Sequence, residues 1–239
     1  MLLNLNFDNS YLNLPKNFYS FVKVENFPKT KLILLNNDLI KKLDLDISGI
    51  NEDKLAKILS GQIINNNKFF SQAYAGHQFG HFTILGDGRA LFLGEHINKK
   101  NERYDINLKG SGKTPYSRNG DGKAILGPML REYIISEAMF YLNIPTTRSL
   151  AVVSTGEKII RENISKGAVL TRIAKSHLRV GTFQFARLFK QNNYISELTD
   201  YSINRHYPEL KNDKNKVENF FKKVSLNQLN LIIDWMRVG

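Results

Sequence analysis

The stretch from Leu85 to Gly122 reads LGDGRALFLGEHINKKNERYDINLKGSGKTPYSRNGDG, and it decides the fold more than any other part of the chain. Gly86-Asp87-Gly88-Arg89 predicts a tight turn. Strands follow over Ala90–His96 and Arg103–Lys109, and then comes a loop, Gly110–Gly122, rich in Gly, Ser, Lys and Arg. Glycines let backbone N–H groups approach phosphate oxygens, and a lysine at a strand end supplies a fixed positive charge. The stretch therefore predicts a polyphosphate site.

Two common nucleotide motifs, GxxxxGK[ST] and a GxGxxG that opens a helix, are absent from the chain. The glycine turn instead lies between strands, since Phe82–Leu85 is predicted as the strand before it. That arrangement is typical of protein kinases. Simpler interpretations stay open, because Asp-Gly is also a strong hairpin signal and the loop after Lys109 could be a solvated surface loop.

The segment after the loop predicts a helix and further strands. Pro128 suits the first turn of a helix that continues over Met129–Leu142. Three strands are predicted after it, at residues 150–154, 158–161 and 168–173. Thr155-Gly156 is interpreted as a hairpin turn between the first two.

The two ends of the chain differ from this middle part. Residues 1–70 look irregular and polar with short helical pieces, including a helix at 52–59 capped by Asn51 and a turn at 65–67. After Arg179 the pattern is helical, at residues 182–191 and 226–236. We therefore predict an α+β fold: a protein-kinase-like small lobe, with a twisted antiparallel sheet plus a helix, and the start of a helical large lobe. We predict three divisions: an N-terminal extension at residues 1–70, the small lobe at 71–180, and the beginning of a truncated large lobe at 181–239.

Lys109 and Glu132 form the strongest candidate pair. Lys109 ends a strand whose other face carries Ile106 and Leu108, and Glu132 lies in the first turn of the following helix. In kinases a strand lysine is held against a phosphate by a helix glutamate. The alternative is that both are ordinary surface charges.

Other charged and ionisable side chains are less specific. Arg172 lies in an apolar strand and would need an anionic partner if buried. Structural salt bridges explain Arg172 and Arg179 equally well. His77 and His81 are four residues apart, so a helix would place them on one face. No carboxylate lies at useful spacing, so a packing or loop-bracing role is favoured over metal binding.

The charge, the cysteine content and the apolar runs of the chain limit which kinds of protein it can be. The 239 residues contain 34 basic and 22 acidic side chains, a net charge of +12, which favours phosphate-bearing partners or reflects a solvated lysine-rich surface. The chain contains no cysteine, which excludes disulfides and thiolate chemistry. It shows no secretory signal, no apolar run of about 18 residues and no specific nucleic-acid-binding motif. We expect a cytoplasmic protein without a membrane or nucleic-acid partner.

These residues resemble one family closely, the SelO (YdiU) protein adenylyltransferases, and the resemblance covers essentially the whole chain. The matching segments are AGHQFG at 75–80, LGDGRA at 85–90, LKGSGKTPYSRNGDGKA at 108–124, LREYIISEA at 130–138, IPTTRSLAVV at 144–153 and VLTRIAKSHLRVGTFQF at 169–185. The long run that begins at Leu108 is highly specific.

The resemblance implies a kinase fold that binds ATP in an inverted orientation and transfers AMP to Ser, Thr or Tyr hydroxyls of proteins, with magnesium or manganese. It assigns nucleotide binding to the glycine turn, the loop, the strand lysine and two arginines: Gly86, Gly88, Arg89, Lys109, Asp121, Gly122, Arg172 and Arg179. Glu132 would be the helix partner of Lys109. In the inverted orientation the phosphates of ATP point into the pocket, which would explain the excess of cationic side chains.

One departure from the family pattern concerns catalysis. The HGVMNTDN-like segment that carries the family's base and a metal ligand, and the DYGPF-like metal motif, do not occur in these 239 residues. We therefore expect the N-terminal part of such an enzyme, truncated before the catalytic loop, and assign no catalytic or metal-binding residue. The alternatives are a non-catalytic ATP-binding fragment and, less favoured, a basic nucleic-acid-binding protein.

Overall fold

The computed structural model describes residues 3–64, 68–78 and 80–239, so the turn predicted at 65–67 lies outside the described residues. The fold is mixed α/β with a large antiparallel sheet. The strands are β1 (Tyr19–Phe21), β2 (Lys31–Leu35), β3 (Phe70–Gln72), β4 (Ala75–Gln78), β5 (His81–Ile84), β6 (Ala90–Ile97), β7 (Arg103–Lys109), β8 (Ala124–Ile125), β9 (Arg148–Ile160) and β10 (Ile164–Ala174). The α-helices are α1 (Asn37–Lys42), α2 (Glu52–Leu59), α3 (Leu126–Tyr141), α4 (Val180–Ala186), α5 (Tyr194–His206) and α6 (Lys216–Met236).

The large sheet has the strand order β1–β3–β6–β7–β10–β9–β2, with β8 beside β10. Every recorded strand pair in it is antiparallel. β7 lies between β6 and β10, so that Lys109 is opposite Ala90 on one side and Leu170 on the other. The end of β7 is therefore enclosed by two strands, which fixes the position of Lys109.

Strand β7 separates an apolar face from a polar one. Ile106 and Leu108 are buried in the main core, where helices α1 and α2 cover the sheet. Successive side chains of a strand point to opposite faces, so Asp105, Asn107 and Lys109 lie on the other side. Polar side chains under a sheet require partners. Asp105 and Lys109 have charged partners from helices α5 and α3, whereas Asn107 Oδ1 is buried without a hydrogen-bond partner among the described residues.

Helix α3 packs across β9 and β10 and begins close to its predicted position. Met129 is buried against Val152, Ala168 and Leu170. The helix is followed by Asn143, whose φ of +60° turns the chain back towards β9. Since Pro128 is the third residue of α3, Glu132 lies in the second turn rather than the first.

The predicted strand before the glycine turn does not continue into the large sheet. The residues of β5 pair with β4 in a separate two-stranded sheet. Backbone bonds from Leu85 N and Asp87 N to Tyr74 O and Gln72 O draw this segment alongside residues 72–74. The strand predicted at Phe82–Leu85 is therefore present as β5, but its partner is β4 and not the strand that follows the glycine turn.

Thr155-Gly156 was wrongly predicted as a hairpin turn. Both residues lie inside the long strand β9, and the hairpin to β10 turns at residues 161–163 instead. Gly156 has a φ of +78°, and a Cβ there would lie 2.7 Å from Lys29 O. A glycine is needed at this position because the backbone at Lys29 passes so closely, not because β9 ends.

The two ends of the chain contain more regular structure than predicted. β1 and β2, within residues 1–70, form the two ends of the sheet path, and Asn51 caps α2 as predicted. At the other end α4 is shorter than predicted, α5 was missed and α6 begins ten residues early. The proposed divisions at 70 and 180 stay predictions.

In the described part of the chain, none of the helices has the length and apolar character needed to cross a bilayer.

Candidate functional site

The glycine turn and the loop 110–122 pack directly against each other. Thr114 Oγ1 donates to Asp87 O at 2.7 Å, and Ser117 Oγ donates to Gly88 O at 2.5 Å. A Cβ on Gly88 would lie 2.7 Å from Tyr116 O, so the approach requires glycine. Gly110 N also donates to Arg89 O, which joins the turn to the end of β7.

The residue that follows the loop is held by ion pairs with distant segments. Lys123 Nζ lies 2.5 Å from Glu157 Oε1 and 3.3 Å from Glu25 Oε2. Gly122 has a φ of +69°, and a Cβ there would lie 1.9 Å from Gly112 O, so the two ends of the loop touch. The loop is thus closed at its base and packed against the glycine turn, while residues 118–121 stay exposed.

Between the turn and the loop lies an open cleft of about 680 Å³. Five of the predicted site residues line it: Gly86, Gly88, Arg89, Asp121 and Gly122. Three more cations, Arg118, Lys123 and Arg161, share the lining, whereas Lys109, Arg172 and Arg179 lie outside it. The cleft wall therefore carries an excess of positive charge.

Lys109, Glu132 and Arg172, which we call the Glu132 cluster, meet between the sheet and α3. Lys109 Nζ lies 2.5 Å from Glu132 Oε2, and Arg172 Nε lies 2.6 Å from Glu132 Oε1. The predicted contact between Lys109 and Glu132 is present, and Glu132 is also the anion that Arg172 was expected to need. The three side chains keep 15–29% of their surface exposed. One carboxylate is thus shared by two cations, which leaves a net positive charge.

The charge states of this cluster follow from its geometry. Burial lowers the pKa of Lys109, and the nearby Arg172 charge lowers it further, while Glu132 opposes both effects. Burial would raise the pKa of Glu132, but Arg172 and Lys109 outweigh it and hold the pKa below its usual value. Glu132 therefore stays ionised at neutral pH.

Arg179 and Arg89 extend the cationic region from the Glu132 cluster towards the cleft. Arg179 lies with its guanidinium 4.8 Å from the centroid of the Tyr74 ring and 3.8 Å from Asp87 Oδ1. Burial raises the pKa of the Tyr74 hydroxyl, and the charges of Arg179, Arg172 and Arg89 act in the opposite direction. Arg179 thus contacts both Tyr74, which lines the cleft, and Asp87 of the glycine turn.

Asp87 is a site residue that the sequence analysis did not single out. Its carboxylate is 3% exposed, accepts a bond from Gln72 N at 3.0 Å and faces Arg179. Burial raises its pKa, and Arg179 opposes that rise. The only sequence signal was its position between two glycines, which suggested turn geometry rather than a partner for an arginine 92 residues away.

A second group, the Arg205 cluster, consists of Glu95, Asp105 and Arg205. Arg205 Nη1 lies 2.6 Å from Glu95 Oε2, and its Nη2 donates to Asp105 Oδ1. All three side chains are at most 7% exposed. Asp105 also accepts bonds from His177 N at 2.7 Å and His177 Nδ1 at 3.2 Å. This cluster fastens α5 and the segment before Arg179 to the sheet.

The two histidines of AGHQFGH lie on β4 and β5, not on a helix. Both are exposed, and the His77 ring packs 5.5 Å from that of Phe82. Within residues 3–64, 68–78 and 80–239, no group of three or more His, Asp or Glu side chains is arranged to hold a metal ion.

Known proteins are similar to this chain along its whole length. A profile of the family described as protein adenylyltransferase SelO matches residues 1–239. Proteins named protein nucleotidyltransferase YdiU are 55% identical in Pelagibacter ubique and 53% identical in Brevibacillus brevis, over 100% and 98% of this chain. These matches cover 50% and 48% of the relatives, so the chain spans about half the length of the curated relatives it matches. The chain therefore belongs to the SelO family of protein adenylyltransferases.

Proposed function

We propose that this chain forms the ATP-binding part of a protein adenylyltransferase, with the triphosphate between the glycine turn, loop 110–122 and the Glu132 cluster. The observation that carries the proposal is the unbalanced charge of that cluster, where Lys109 and Arg172 share the single carboxylate of Glu132. A phosphate would supply the missing negative charge. Arg89, whose carbonyl accepts a bond from Gly110 N next to Lys109, and Arg179, 3.8 Å from Asp87 in the glycine turn, add further positive charge.

The arrangement of strands and helix supports a kinase-like small lobe. β7 is the third strand of the antiparallel run β3–β6–β7, and α3 is the next helix in the chain. Kinases place a lysine on their third strand and pair it with a glutamate of the following helix. We propose that Lys109 and Glu132 have these positions, and that the connection from β3 to β6 covers the nucleotide.

In the proposed reaction, a Ser, Thr or Tyr hydroxyl oxygen bonds to the α-phosphorus of ATP. The bond from that phosphorus to the α,β-bridging oxygen breaks, pyrophosphate leaves with the electron pair, and the hydroxyl proton passes to a base. The residues described here bind and orient the phosphates, and their fixed charges stabilise negative charge on them. We assign neither the base nor a metal-dependent step to them.

Calorimetric titration with ATP tests the binding proposal. Lys109→Ala removes one charge-assisted contact of about 1.5–3 kcal/mol, so affinity is expected to fall about 10- to 150-fold. Lys99→Ala, in the exposed turn between β6 and β7, is the matched control and should bind as the wild type does. Equal affinities for all three proteins would contradict the proposed phosphate site.

A transfer assay separates an enzyme from a non-catalytic nucleotide-binding protein. The chain is incubated with ATP labelled at the α-phosphate, magnesium or manganese, and a generic protein acceptor. Label on the acceptor that disappears with Lys109→Ala would support AMP transfer by this chain. ATP binding without transfer would limit the function of the 239 residues to binding the nucleotide.

A further inference from the structure

Arg161 lines the cleft but belongs neither to the glycine turn nor to loop 110–122. It lies at the tip of the hairpin between β9 and β10, at the end of the sheet path opposite to β1. Its Nη1 and Nη2 lie 2.9 and 2.8 Å from Asp121 Oδ2 and Oδ1, a two-point contact. Nη2 also donates to Lys123 O at 3.2 Å, and Nη1 to Ile160 O at 2.9 Å. Four bonds therefore fix the guanidinium, although 40% of the side chain is exposed.

Asp121 presents an electrostatic problem for a cleft that accepts a polyphosphate. Its carboxylate lines the cleft and is 43% exposed. The hydrogen bonds from Arg161 hold its pKa below the ordinary value, so it stays ionised at neutral pH. An unpaired carboxylate at this position would repel an incoming phosphate, whereas the pair with Arg161 has no net charge.

The same contact also fixes the direction of the carboxylate. Asp121 Oδ1 accepts a further bond from Lys123 N at 2.9 Å, in the turn that contains Gly122. Arg161 thus joins the C-terminal end of the loop to the hairpin of the large sheet, and both oxygens of the Asp121 carboxylate are engaged by its guanidinium.

We infer that Arg161 is a positioning residue of the nucleotide site, which neutralises and orients Asp121 so that the cleft admits the phosphates of ATP. The inference rests on the proposed function. It assigns a role to a residue for which the sequence analysis had no interpretation, since the pair joins residues 40 positions apart.

The first test compares nucleotides of decreasing charge with Arg161→Ala. Because both partners are about 40% exposed and exposed ion pairs are screened, we expect ATP affinity to fall about three- to fivefold. The loss should shrink through ADP and AMP and vanish for adenosine, because repulsion by Asp121 scales with ligand charge. Lys166→Ala removes an exposed cation from the same hairpin and should change no affinity.

A double-mutant cycle separates neutralisation from a merely structural role. In an Asp121→Asn background there is no carboxylate charge to neutralise, so adding Arg161→Ala should change ATP affinity by less than about twofold. If Arg161 acted only by bracing the loop through Lys123 O, its loss would persist in that background and overturn the inference. Arg161→Lys keeps the charge, and it should retain most of the affinity if Arg161→Ala fails to fold.

The outcomes also distinguish this inference from the proposed function. Wild-type ATP binding with no effect of Arg161→Ala would overturn only the role of Arg161. Failure of the wild type to bind ATP would overturn the proposed function and this inference with it.

Discussion

The Arg205 cluster and the Glu132 cluster lie on the same face of β7, but they differ in burial and in charge. Asp105 and Lys109 lie four residues apart on the polar side of β7. At the Asp105 end, two carboxylates enclose Arg205, and no side chain is more than 7% exposed. At the Lys109 end, two cations share one carboxylate and stay 15–29% exposed.

The difference indicates that one end of β7 stabilises the fold and the other end can bind an anion. In the buried cluster, Arg205 contacts both carboxylates, and Arg103 Nη1 lies 3.0 Å from Glu95 Oε2 as a second cation. Such a buried group stabilises the fold but has no room for a ligand, whereas a half-open group with surplus positive charge can accept an anion. Substitutions in the two clusters should therefore change different quantities: free energy of unfolding for the first, and nucleotide affinity for the second.

The largest effect is expected from Arg205→Ala. It leaves Asp105 buried without its arginine, whereas Glu95 keeps Arg103 Nη1 at 3.0 Å. Removing one partner of a buried pair typically costs about 3–5 kcal/mol. Urea denaturation of the variant and the wild type measures the difference. A loss below about 1 kcal/mol would mean that the remaining bonds of Asp105 to His177 suffice, and the comparison of the two clusters would fail.

Arg172→Ala should show the opposite profile. Glu132 keeps its 2.5 Å contact with Lys109, so we expect the free energy of unfolding to fall by less than about 1 kcal/mol. ATP affinity should fall about 10-fold or more, because a charge-assisted contact is removed. Calorimetry and urea denaturation on the same preparation give both numbers. A variant that loses stability but binds ATP normally would assign Arg172 to the fold alone.

Acid should weaken both clusters, the Arg205 cluster more strongly. Burial would raise the pKa of Asp105, but His177 and Arg205 outweigh it and the pKa is lowered, as it is for Glu132. A carboxyl with a lowered folded pKa adds stability above its unfolded pKa of about 4, and loses that contribution as pH falls through the folded value. The urea midpoint should therefore drop between about pH 5 and 3.

Variants separate the contributions to this acid effect. Asp105→Asn should flatten the drop more than Glu132→Gln, because Asp105 is far less exposed. Burial lowers the pKa of His206 to about 4, which adds a separate loss between about pH 6.5 and 4. An unchanged acid profile in Asp105→Asn would contradict the assignment.

The smallest effect is expected from Lys222→Ala on α6. Its pair with Glu218 is an i,i+4 contact in which both side chains are about 65% exposed. Such pairs contribute about 0.3–0.5 kcal/mol, so stability and ATP affinity should both stay close to the wild type. A change above about 1 kcal/mol in urea denaturation would show that exposure does not separate the two clusters as argued here.

Local patterns predicted the part of the site that is close in sequence. Lys109 and Glu132 are separated by one loop and the start of one helix, and the alternation of β7 already placed Lys109 away from the apolar core. Asp87 and Arg205 were not found, because their partners lie 92 and 100 residues away and no periodicity marks such a pair. Gly156 was misinterpreted since a glycine required by a close backbone approach has the same sequence signature as one that ends a strand.

By itself, the sequence determined the glycine turn, the two faces of β7, helix α3 and the strand lysine with its helix glutamate. These depend on conformational preferences and on spacings within a few tens of residues. Only the tertiary structure decided that Arg205 encloses the Asp105 end of the strand, that the Lys109 end stays open, and that Arg161 pairs with Asp121 at the cleft. Burial and charge pairing depend on which distant segments pack together, and a linear pattern does not carry that information.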